Sequence, residues 1–217
     1  MRHHETEIKI AITDLAAIRR KLRKLGFHPI HRRAFEDNVL FDTPARMLRA
    51  VRSILRLRRY GSRWWLTFKG TPEADSRYKS RTEYESEVSN PEAVRLIFSS
   101  LGLVPVFRYQ KFRTHFAAAR ALNAAAKSTA QSTPKLAAKS GEKRVRRPAF
   151  EIALDETPVG NFIELEGSRT AIDRAAKQLG FTAADYLTSS YGALYIEQCR
   201  RLGITASDMV FDERSRL

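Results

Sequence analysis

The pentapeptide ETEIK, Glu5 to Lys9, decides how the rest of this sequence is interpreted. Successive side chains of an extended strand point to opposite faces, so Glu5, Glu7 and Lys9 share one face. Ile8 and Ile10 lie on the other face, which is an ordinary core face. An isolated E-x-E-x-K pattern is typical of the solvated face of an antiparallel sheet, so the interpretation depends on whether the pattern recurs.

Length and composition limit the class of protein. With 217 residues and 43% hydrophobic residues, the chain is long enough for one large domain or two small ones with a real core. No apolar run approaches the ~20 residues of a membrane span, and the first residues lack an apolar signal region. The single cysteine, Cys199, excludes an internal disulfide and a cysteine-based metal cluster. We therefore expect a cytoplasmic protein without a membrane partner.

The charge of the chain indicates the kind of partner. Lysine and arginine number 39 against 24 acids, which gives a formal net charge of +15. An excess of this size favours a polyanionic partner, namely a nucleotide, a polyphosphate or a nucleic acid.

Period-two alternation recurs along the chain and predicts a protein rich in strands. Helical spacing with capping residues separates some of the strands. The predicted strands cover 4–12, 28–43, 53–60, 62–70, 77–88, 105–116, 150–157 and 161–167. The predicted helices cover 14–26, 90–102, 168–180 and 184–202, and 46–52 is a short helical turn or a strand approach. The helix over 90–102 is expected to carry an apolar stripe of Val94, Ile97, Phe98 and Leu101. The final residues after 203 are predicted to be loose.

In nearly every predicted strand, one face carries charge. If those faces meet water, the strands form a sheet with one polar side and helices on the other. If the sheet closes on itself, the same faces line a charged interior that can enclose a ligand. Such an interior is stable only when its charges are paired, hydrated or filled by ions and ligand.

The two signs of charge indicate what would fill such an interior. Carboxylates are hard oxygen ligands suited to Mg²⁺ or Mn²⁺, whereas no His/Cys pattern indicates zinc. The candidate metal ligands are Glu5, Glu7, Asp155, Glu164 and Glu166. Cations suit phosphate oxygens, arginine through its bidentate fork. The candidate substrate-binding residues are Lys9, Arg56, Arg58, Lys69, Arg81, Lys111 and Arg113.

These motifs, in this order, resemble the CYTH superfamily, the triphosphate tunnel metalloenzymes. The resemblance begins at ETEIK and runs through DNVLFDTP, LRLRR, LTFKG, SRTEYE, KFR, ALDE and FIELEG to SSYGALY. It implies an α+β fold in which a closed eight-stranded antiparallel β-barrel has flanking helices. It also implies a divalent metal on the acidic residues and a triphosphate on the basic ones.

Members of the superfamily hydrolyse tripolyphosphate, thiamine triphosphate, nucleoside triphosphates or RNA 5′-triphosphate, and others cyclise ATP to cyclic AMP. We therefore expect a triphosphatase acting on tripolyphosphate, ATP or thiamine triphosphate, with a class IV adenylate cyclase as the alternative enzyme. Lys69 is the candidate catalytic lysine, because lysine pKa values shift readily on burial. Leu40 stands where many relatives have a tyrosine that positions this lysine, which weakens the thiamine triphosphatase alternative.

The segment 117–148 differs from the rest of the chain. It is rich in Ala, Ser and Lys, and its eight basic residues and one acid give a net charge of +7. We predict one domain over 1–203 that carries this segment as a flexible insertion, followed by a polar tail, 204–217. The insertion could contact an acidic polymer. A polyphosphate- or nucleic-acid-binding module is the alternative without enzymatic activity.

Overall fold

Eight antiparallel strands close into a barrel, as expected. The computed structural model describes residues 3–74, 77–118 and 150–212. The strands are β1 (His3–Ile12), β2 (Phe27–Asp42), β3 (Ile54–Tyr60), β4 (Arg63–Lys69), β5 (Lys79–Val88), β6 (Val104–Ala118), β7 (Phe150–Thr157) and β8 (Gly160–Gly167). The helices are α1 (Leu15–Lys24), α2 (Met47–Ala50), α3 (Pro91–Ser100), α4 (Arg169–Leu179) and α5 (Tyr191–Leu202), and a 3₁₀ turn spans Ala183–Asp185.

The order of strands around the barrel is β1-β5-β4-β3-β2-β6-β7-β8, and β8 pairs with β1 to close it. In that closing pair Glu7 lies opposite Glu166, and Lys9 lies opposite Glu164. Because the pairing is in register, the charged faces of neighbouring strands all point into the barrel. Of the two architectures that the sequence left open, the closed one is correct.

The main core lies outside the barrel wall, between its strands and two helices. Ile8 and Ile163 project outward from β1 and β8 and are fully buried. Leu22 of α1 and Leu179 of α4 pack into the same cluster. Asp14 caps α1 by accepting the backbone N–H of Ala17 at 2.8 Å. The alternation that fills the lumen with charge therefore also supplies the apolar outer face that carries the helices.

Two expectations about helices are wrong. The last helix begins at Tyr191 instead of 184, because the backbone of Leu187 pairs with Lys9 of β1 and holds the preceding residues extended. Helix α3 buries only Phe98 of its expected apolar stripe, whereas Ile97 and Leu101 are exposed. No helix in the described ranges is long and apolar enough to cross a membrane.

The expectation of a loose tail does not hold around Met209, whereas residues 204–208 are exposed and lie outside helices and strands. Met209 is fully buried, its N–H donates to Arg108 O at 2.9 Å, and its carbonyl accepts from Gln110 N at 2.9 Å. This segment therefore adds a short parallel pairing to the edge of β6. The predicted insertion lies almost wholly outside the described residues, although Ala117 and Ala118 belong to β6.

Candidate functional site

The lumen of the barrel is a cavity of about 810 Å³ whose wall is dominated by charge. Its cationic lining consists of Lys9, Arg56, Arg58, Arg63, Lys69, Lys79, Arg81, Lys111 and Arg113. Its acidic lining consists of Glu5, Glu7, Glu83, Glu85, Glu151, Glu164 and Glu166. Both signs are present in similar numbers, which is how a charged interior avoids an uncompensated desolvation penalty.

Lys69 lies between two carboxylates on one side of the lumen. Its ammonium donates to both oxygens of Glu5, at 2.8 and 2.7 Å, and lies 3.3 Å from Glu83. Strand register explains the arrangement, since Lys69 of β4 is the direct cross-strand partner of Glu83 on β5. The next strand, β1, carries Glu5 opposite Arg81 of β5.

Of the other two charged residues of ETEIK, Lys9 reaches β8, on the opposite side of β1, and Glu7 reaches β5. Lys9 lies 3.1 Å from Glu164, its cross-strand partner, and 3.7 Å from Glu7. Glu7 also lies 3.2 Å from Lys79 of β5. Glu5, Glu7, Lys9 and Lys79 are all less than a tenth exposed, so these contacts are made in a largely desolvated environment.

Strand β3 contributes two arginines to the opposite wall. Arg56 donates to the hydroxyls of Tyr109 and Thr67, at 3.2 and 3.1 Å. Arg58 forms a 2.9 Å ion pair with Glu85. In both arginines the two terminal nitrogens contact neighbouring polar groups. Both side chains line the cavity, and the planar guanidinium is the cation that suits phosphate oxygens.

Asp155 lies behind the cavity wall. It is fully buried and does not line the lumen, and its carboxylate accepts from Lys111 at 2.9 Å and pairs with Arg113. Tyr191, the first residue of α5, donates to the same carboxylate at 2.6 Å. The Tyr191 ring also lies 4.9 Å from the Lys9 ammonium and 5.2 Å from that of Lys111. Asp155 therefore organises the basic wall from behind.

Glu36 of β2 is a second buried carboxylate behind the basic wall, and it was not among the predicted site residues. It is fully buried, and its carboxylate lies 3.6 Å from Arg58, 3.5 Å from Lys111 and 3.9 Å from Arg113. Neither Glu36 oxygen has a hydrogen-bond partner among the described residues. The sequence feature that could have identified Glu36 is the alternation within 28–43, which places Glu36 and Asn38 on the lumen-facing side of β2.

The clustering of like charges shifts several pKa values. Burial raises the pKa of Glu5 to about 8; Lys69 opposes this rise, and Glu7, Glu83 and Glu166 add to it. Burial alone would lower the pKa of Lys69, but Glu5 and Glu83 raise it above its usual value. Lys69 is therefore protonated at neutral pH.

The pKa of Lys79 is lowered, whereas that of Lys69 is raised. Burial lowers its pKa to about 8, and Glu7 only partly offsets that shift because Lys9, Arg81 and Lys69 add to it. The lumen therefore holds both an acid and a base that titrate near pH 8.

A divalent metal fits the chemistry of the acidic wall. The donors are carboxylate oxygens, which Mg²⁺ and Mn²⁺ prefer. Burial first, and then the carboxylates of Glu7, Glu83 and Glu166, raise the pKa of Glu5 although Lys69 lies beside it, so a further cation near Glu5 would be favourable. Within the described ranges, no three acidic or histidine side chains are arranged to hold a metal ion. Glu5, Glu7 and Glu164 contact Lys69, Lys79 and Lys9 instead, so a metal on these carboxylates would replace ammonium partners.

All but one of the sequence-predicted site residues line this single cavity. These are Glu5, Glu7, Lys9, Arg56, Arg58, Lys69, Arg81, Lys111, Arg113, Glu164 and Glu166. Asp155 is the exception. Lys79, Glu83, Glu85, Tyr109 and Tyr191 also line the cavity but were not among the predicted site residues. Leu40 lines it too, beside Arg56 on β3.

The sequence matches the family model of the CYTH domain over residues 3–191, which is most of the chain. The chain belongs to the CYTH family. Members of this family are enzymes that act on triphosphate substrates such as ATP and are in general metal-dependent. The match ends at Tyr191, the residue that donates to Asp155.

The CYTH chain also resembles individual proteins. A Methanocaldococcus jannaschii protein provisionally named an adenylate cyclase is 34% identical over 109 residues, which span 50% of this chain and 61% of that protein. A Vibrio parahaemolyticus structure, also provisionally named an adenylate cyclase, superposes with a TM-score of 0.66 at 19% identity, covering 89% of this chain and 98% of that one.

One plant protein of the same fold has a reported activity. A Hippeastrum protein named as an adenylyl cyclase and described as having a dominant triphosphatase activity superposes with a TM-score of 0.52 at 19% identity. The superposition covers 93% of this chain and 97% of that one. Because the Vibrio and Hippeastrum proteins are each only 19% identical to this chain, these superpositions show a shared fold alone.

Proposed function

We propose that this chain is a metal-dependent triphosphatase that hydrolyses a linear triphosphate, inorganic or organic, inside the barrel. The observation that carries the proposal is the enclosed lumen, in which clustered carboxylates on β1, β5 and β8 face arginines and lysines on β3 and β6. The combination suits a metal–polyphosphate complex, because phosphoryl transfer requires mainly in-line positioning and stabilisation of charge.

In this proposal, the basic wall binds the phosphate oxygens. Arg56 and Arg58 carry planar guanidinium groups that can engage phosphate in bidentate fashion, and Lys111 and Arg113 extend the wall along β6. Glu36 and Asp155, buried behind these cations, hold them in place before substrate arrives. Preorganised charge of this kind favours the transition state, because the cations do not have to reorganise during the reaction.

The acidic wall would hold Mg²⁺ or Mn²⁺ through Glu5, Glu7, Glu164 and Glu166. When bound, the metal would neutralise phosphate charge and provide a site where a water molecule can be oriented. Water would attack the terminal phosphorus, breaking the bond to the bridging oxygen and releasing orthophosphate and pyrophosphate from tripolyphosphate. Asp155 is assigned here to positioning, because Lys111, Arg113 and Tyr191 already occupy its carboxylate.

Lys69 is proposed as a positioning and charge-stabilising residue. It is protonated when paired with Glu5 and Glu83, so it can donate to a phosphate oxygen or to the attacking water. A metal ion on Glu5 would weaken the Glu5–Lys69 pair and free the ammonium for substrate. Binding of metal and positioning of Lys69 would then be coupled through one carboxylate.

Adenylate cyclase is the second candidate, supported by the names of the Methanocaldococcus and Vibrio proteins. In that reaction the ribose 3′-hydroxyl attacks the α-phosphate of ATP and releases pyrophosphate. The described triphosphatase activity of the Hippeastrum protein supports hydrolysis instead. A non-enzymatic polyphosphate- or nucleic-acid-binding module is disfavoured, because the lumen carboxylates would repel a polyanion without metal.

Product analysis separates these candidates. The protein is incubated with tripolyphosphate or ATP in the presence of Mg²⁺ or Mn²⁺, and the products are resolved chromatographically. Hydrolysis gives orthophosphate and pyrophosphate from tripolyphosphate, cyclisation gives cyclic AMP and pyrophosphate from ATP, and a binding module gives neither. Cyclic AMP as the main product, with tripolyphosphate left intact, would contradict the proposed hydrolase.

A further inference from the structure

A second cavity, of about 890 Å³, adjoins one end of the lumen, and we call it the vestibule. One side is formed by Leu40, Phe107 and the start of α5, and the other by residues 43–53, here called the rim loop. The vestibule and the lumen meet along a shared wall. The residues that line both are Leu40, Ile54, Lys79, Arg81, Phe107, Ser190 and Gly192.

Three exposed arginines of the rim loop face the vestibule, namely Arg46, Arg49 and Arg52. The rim loop contains no acidic residue. None of the three arginines forms an ion pair of 4 Å or less with a described carboxylate, whereas the lumen arginines do. The described lining of the vestibule holds five cations, the three arginines with Lys79 and Arg81, against two carboxylates, Asp42 and Asp208, so it keeps an excess of positive charge.

The rim loop is held in place by a buried carboxylate. Asp42, at the end of β2, is 2% exposed and accepts the backbone N–H groups of Thr43, Leu48 and Arg49, at 2.7, 2.9 and 2.9 Å. Thr71 ties the far end of the loop by donating to Val51 O at 2.8 Å. The arginine backbones are therefore positioned before any ligand arrives.

Two of the three arginines have strained backbone conformations. Arg46 and Arg52 have φ values of 60° and 58°, the left-handed region that disfavours most side chains. Glycine or asparagine would make either turn at lower cost. Strained backbone of this kind persists where the surrounding structure holds it, and it clusters at active sites and ligand-binding sites.

From this geometry we propose that the vestibule is a binding site for the phosphates beyond the third in a linear polyphosphate chain. The inference rests on the proposed function, because a chain whose first three phosphates occupy the lumen would leave past Lys79 and Arg81 and reach the rim arginines. A neutral nucleoside in the vestibule would leave its excess of positive charge uncompensated, whereas a fourth and a fifth phosphate would compensate it. The substrate class is then polyphosphates longer than three units.

The test compares two variants that lose the same charge. Arg46→Gln/Arg49→Gln/Arg52→Gln removes the rim cations, and Arg20→Gln/Arg23→Gln/Lys24→Gln removes three exposed cations from α1 on the outer surface. Calorimetry measures the binding of tripolyphosphate, a five-phosphate chain and ATP to the full-length protein. Each ligand is too short to engage distant basic residues at the same time as the lumen.

The wild type should bind the five-phosphate chain about tenfold more tightly than tripolyphosphate, and the rim variant should lose that advantage. Its affinity for tripolyphosphate should stay within about twofold, and the α1 variant should behave like the wild type with both ligands. Equal losses in the two variants, or a rim variant that loses affinity for ATP alone, would overturn the vestibule assignment.

The same titrations separate failure of this inference from failure of the proposed function. Normal tripolyphosphate binding with no gain from the longer chain would overturn the vestibule proposal and leave the triphosphatase standing. Absence of tripolyphosphate binding to the wild type would contradict the triphosphatase, and the vestibule proposal with it.

Discussion

The hydroxyl of Tyr191 donates a 2.6 Å hydrogen bond to the buried carboxylate of Asp155 and thereby ties helix α5 to the basic wall of the lumen. Tyr191→Phe keeps the ring that lies near Lys9 and removes that bond. Because Asp155 is fully buried, we expect a loss of about 1–3 kcal/mol in the free energy of unfolding. Urea denaturation measures it.

Tyr195→Phe is the matched control on the same helix. The Tyr195 hydroxyl contacts the hydroxyl of Ser207 at 3.2 Å in an exposed position, so its removal should cost less than about 0.5 kcal/mol. Equal losses in the two variants would mean that the Tyr191–Asp155 bond contributes nothing specific.

Arg56 should distinguish a triphosphate from a monophosphate. Arg56→Ala removes a guanidinium from the lumen wall, and the loss of a desolvated charged contact should weaken tripolyphosphate binding by roughly 2–5 kcal/mol. Orthophosphate, which has fewer oxygens to engage the wall, should lose much less. Calorimetric titration of both ligands measures the difference.

Arg59→Ala provides the control, since Arg59 lies on the same strand and is exposed on the outer face. It should change neither affinity by more than about 0.5 kcal/mol. A small and equal loss for the two phosphates in Arg56→Ala would place Arg56 outside the ligand site.

The raised pKa of Glu5 predicts a pH dependence of stability in metal-free buffer. The pKa is about 8 in the folded protein, against 4.5 for an unperturbed glutamate. Between these values the folded state keeps a proton that the unfolded state releases, so the Glu5 contribution to stability falls as pH rises from about 4.5 to 8. The slope is at most about 1.4 kcal/mol per pH unit.

Glu5→Gln should remove this component, and denaturation between pH 5 and pH 9 would reveal it as a difference from the wild type. Glu92→Gln, a change at an exposed glutamate of α3, should leave the wild-type profile unchanged. Parallel profiles for the wild type and Glu5→Gln would show that Glu5 keeps an ordinary pKa in the fold.

The predicted insertion lies mainly outside the described residues, and we expect it to be dispensable for hydrolysis. Phe116 of β6 pairs with Ile152 of β7, so the barrel wall is complete without the segment between them. Deleting 120–146 and closing with a short Gly/Ser link should preserve turnover of tripolyphosphate, since shortening a loop has a small entropic effect.

The same deletion should weaken salt-sensitive binding to long polyphosphate or nucleic acid, because it removes a concentrated positive charge. Both properties are measured on one preparation over a salt series. Loss of hydrolysis by a deletion variant that remains folded would assign the segment to the active site instead.

Much of the barrel could be predicted because strand alternation is strictly local. Glu5, Glu7 and Lys9 had to share a face once the segment was extended, and the same holds for Arg56 with Arg58. Closure itself could not be derived from alternation, since a one-sided sheet would show the same pattern. It depends on β8 pairing with β1, a contact between residues far apart in sequence.

The roles of individual carboxylates required the three-dimensional structure. Asp155 has the same local pattern as the lumen acids, yet it lies behind the wall, because Tyr191 from a distant helix covers it. Glu36 was not predicted as a site residue, because its role depends on contacts with three cations on β3 and β6, and the sequence of β2 does not reveal those contacts. Met209 stays ordered through backbone pairing to β6, which composition does not report.

The central claim is that lumen carboxylates support metal-dependent triphosphate hydrolysis, and the turnover of tripolyphosphate by Glu166→Gln tests it most directly. Glu166 lines the lumen and lies opposite Glu7 across the β8–β1 pair. With Mg²⁺ or Mn²⁺ at saturation, we predict that turnover falls about a hundredfold while the melting temperature stays near that of Glu92→Gln, the control. Near-normal turnover by Glu166→Gln at saturating metal would contradict the account.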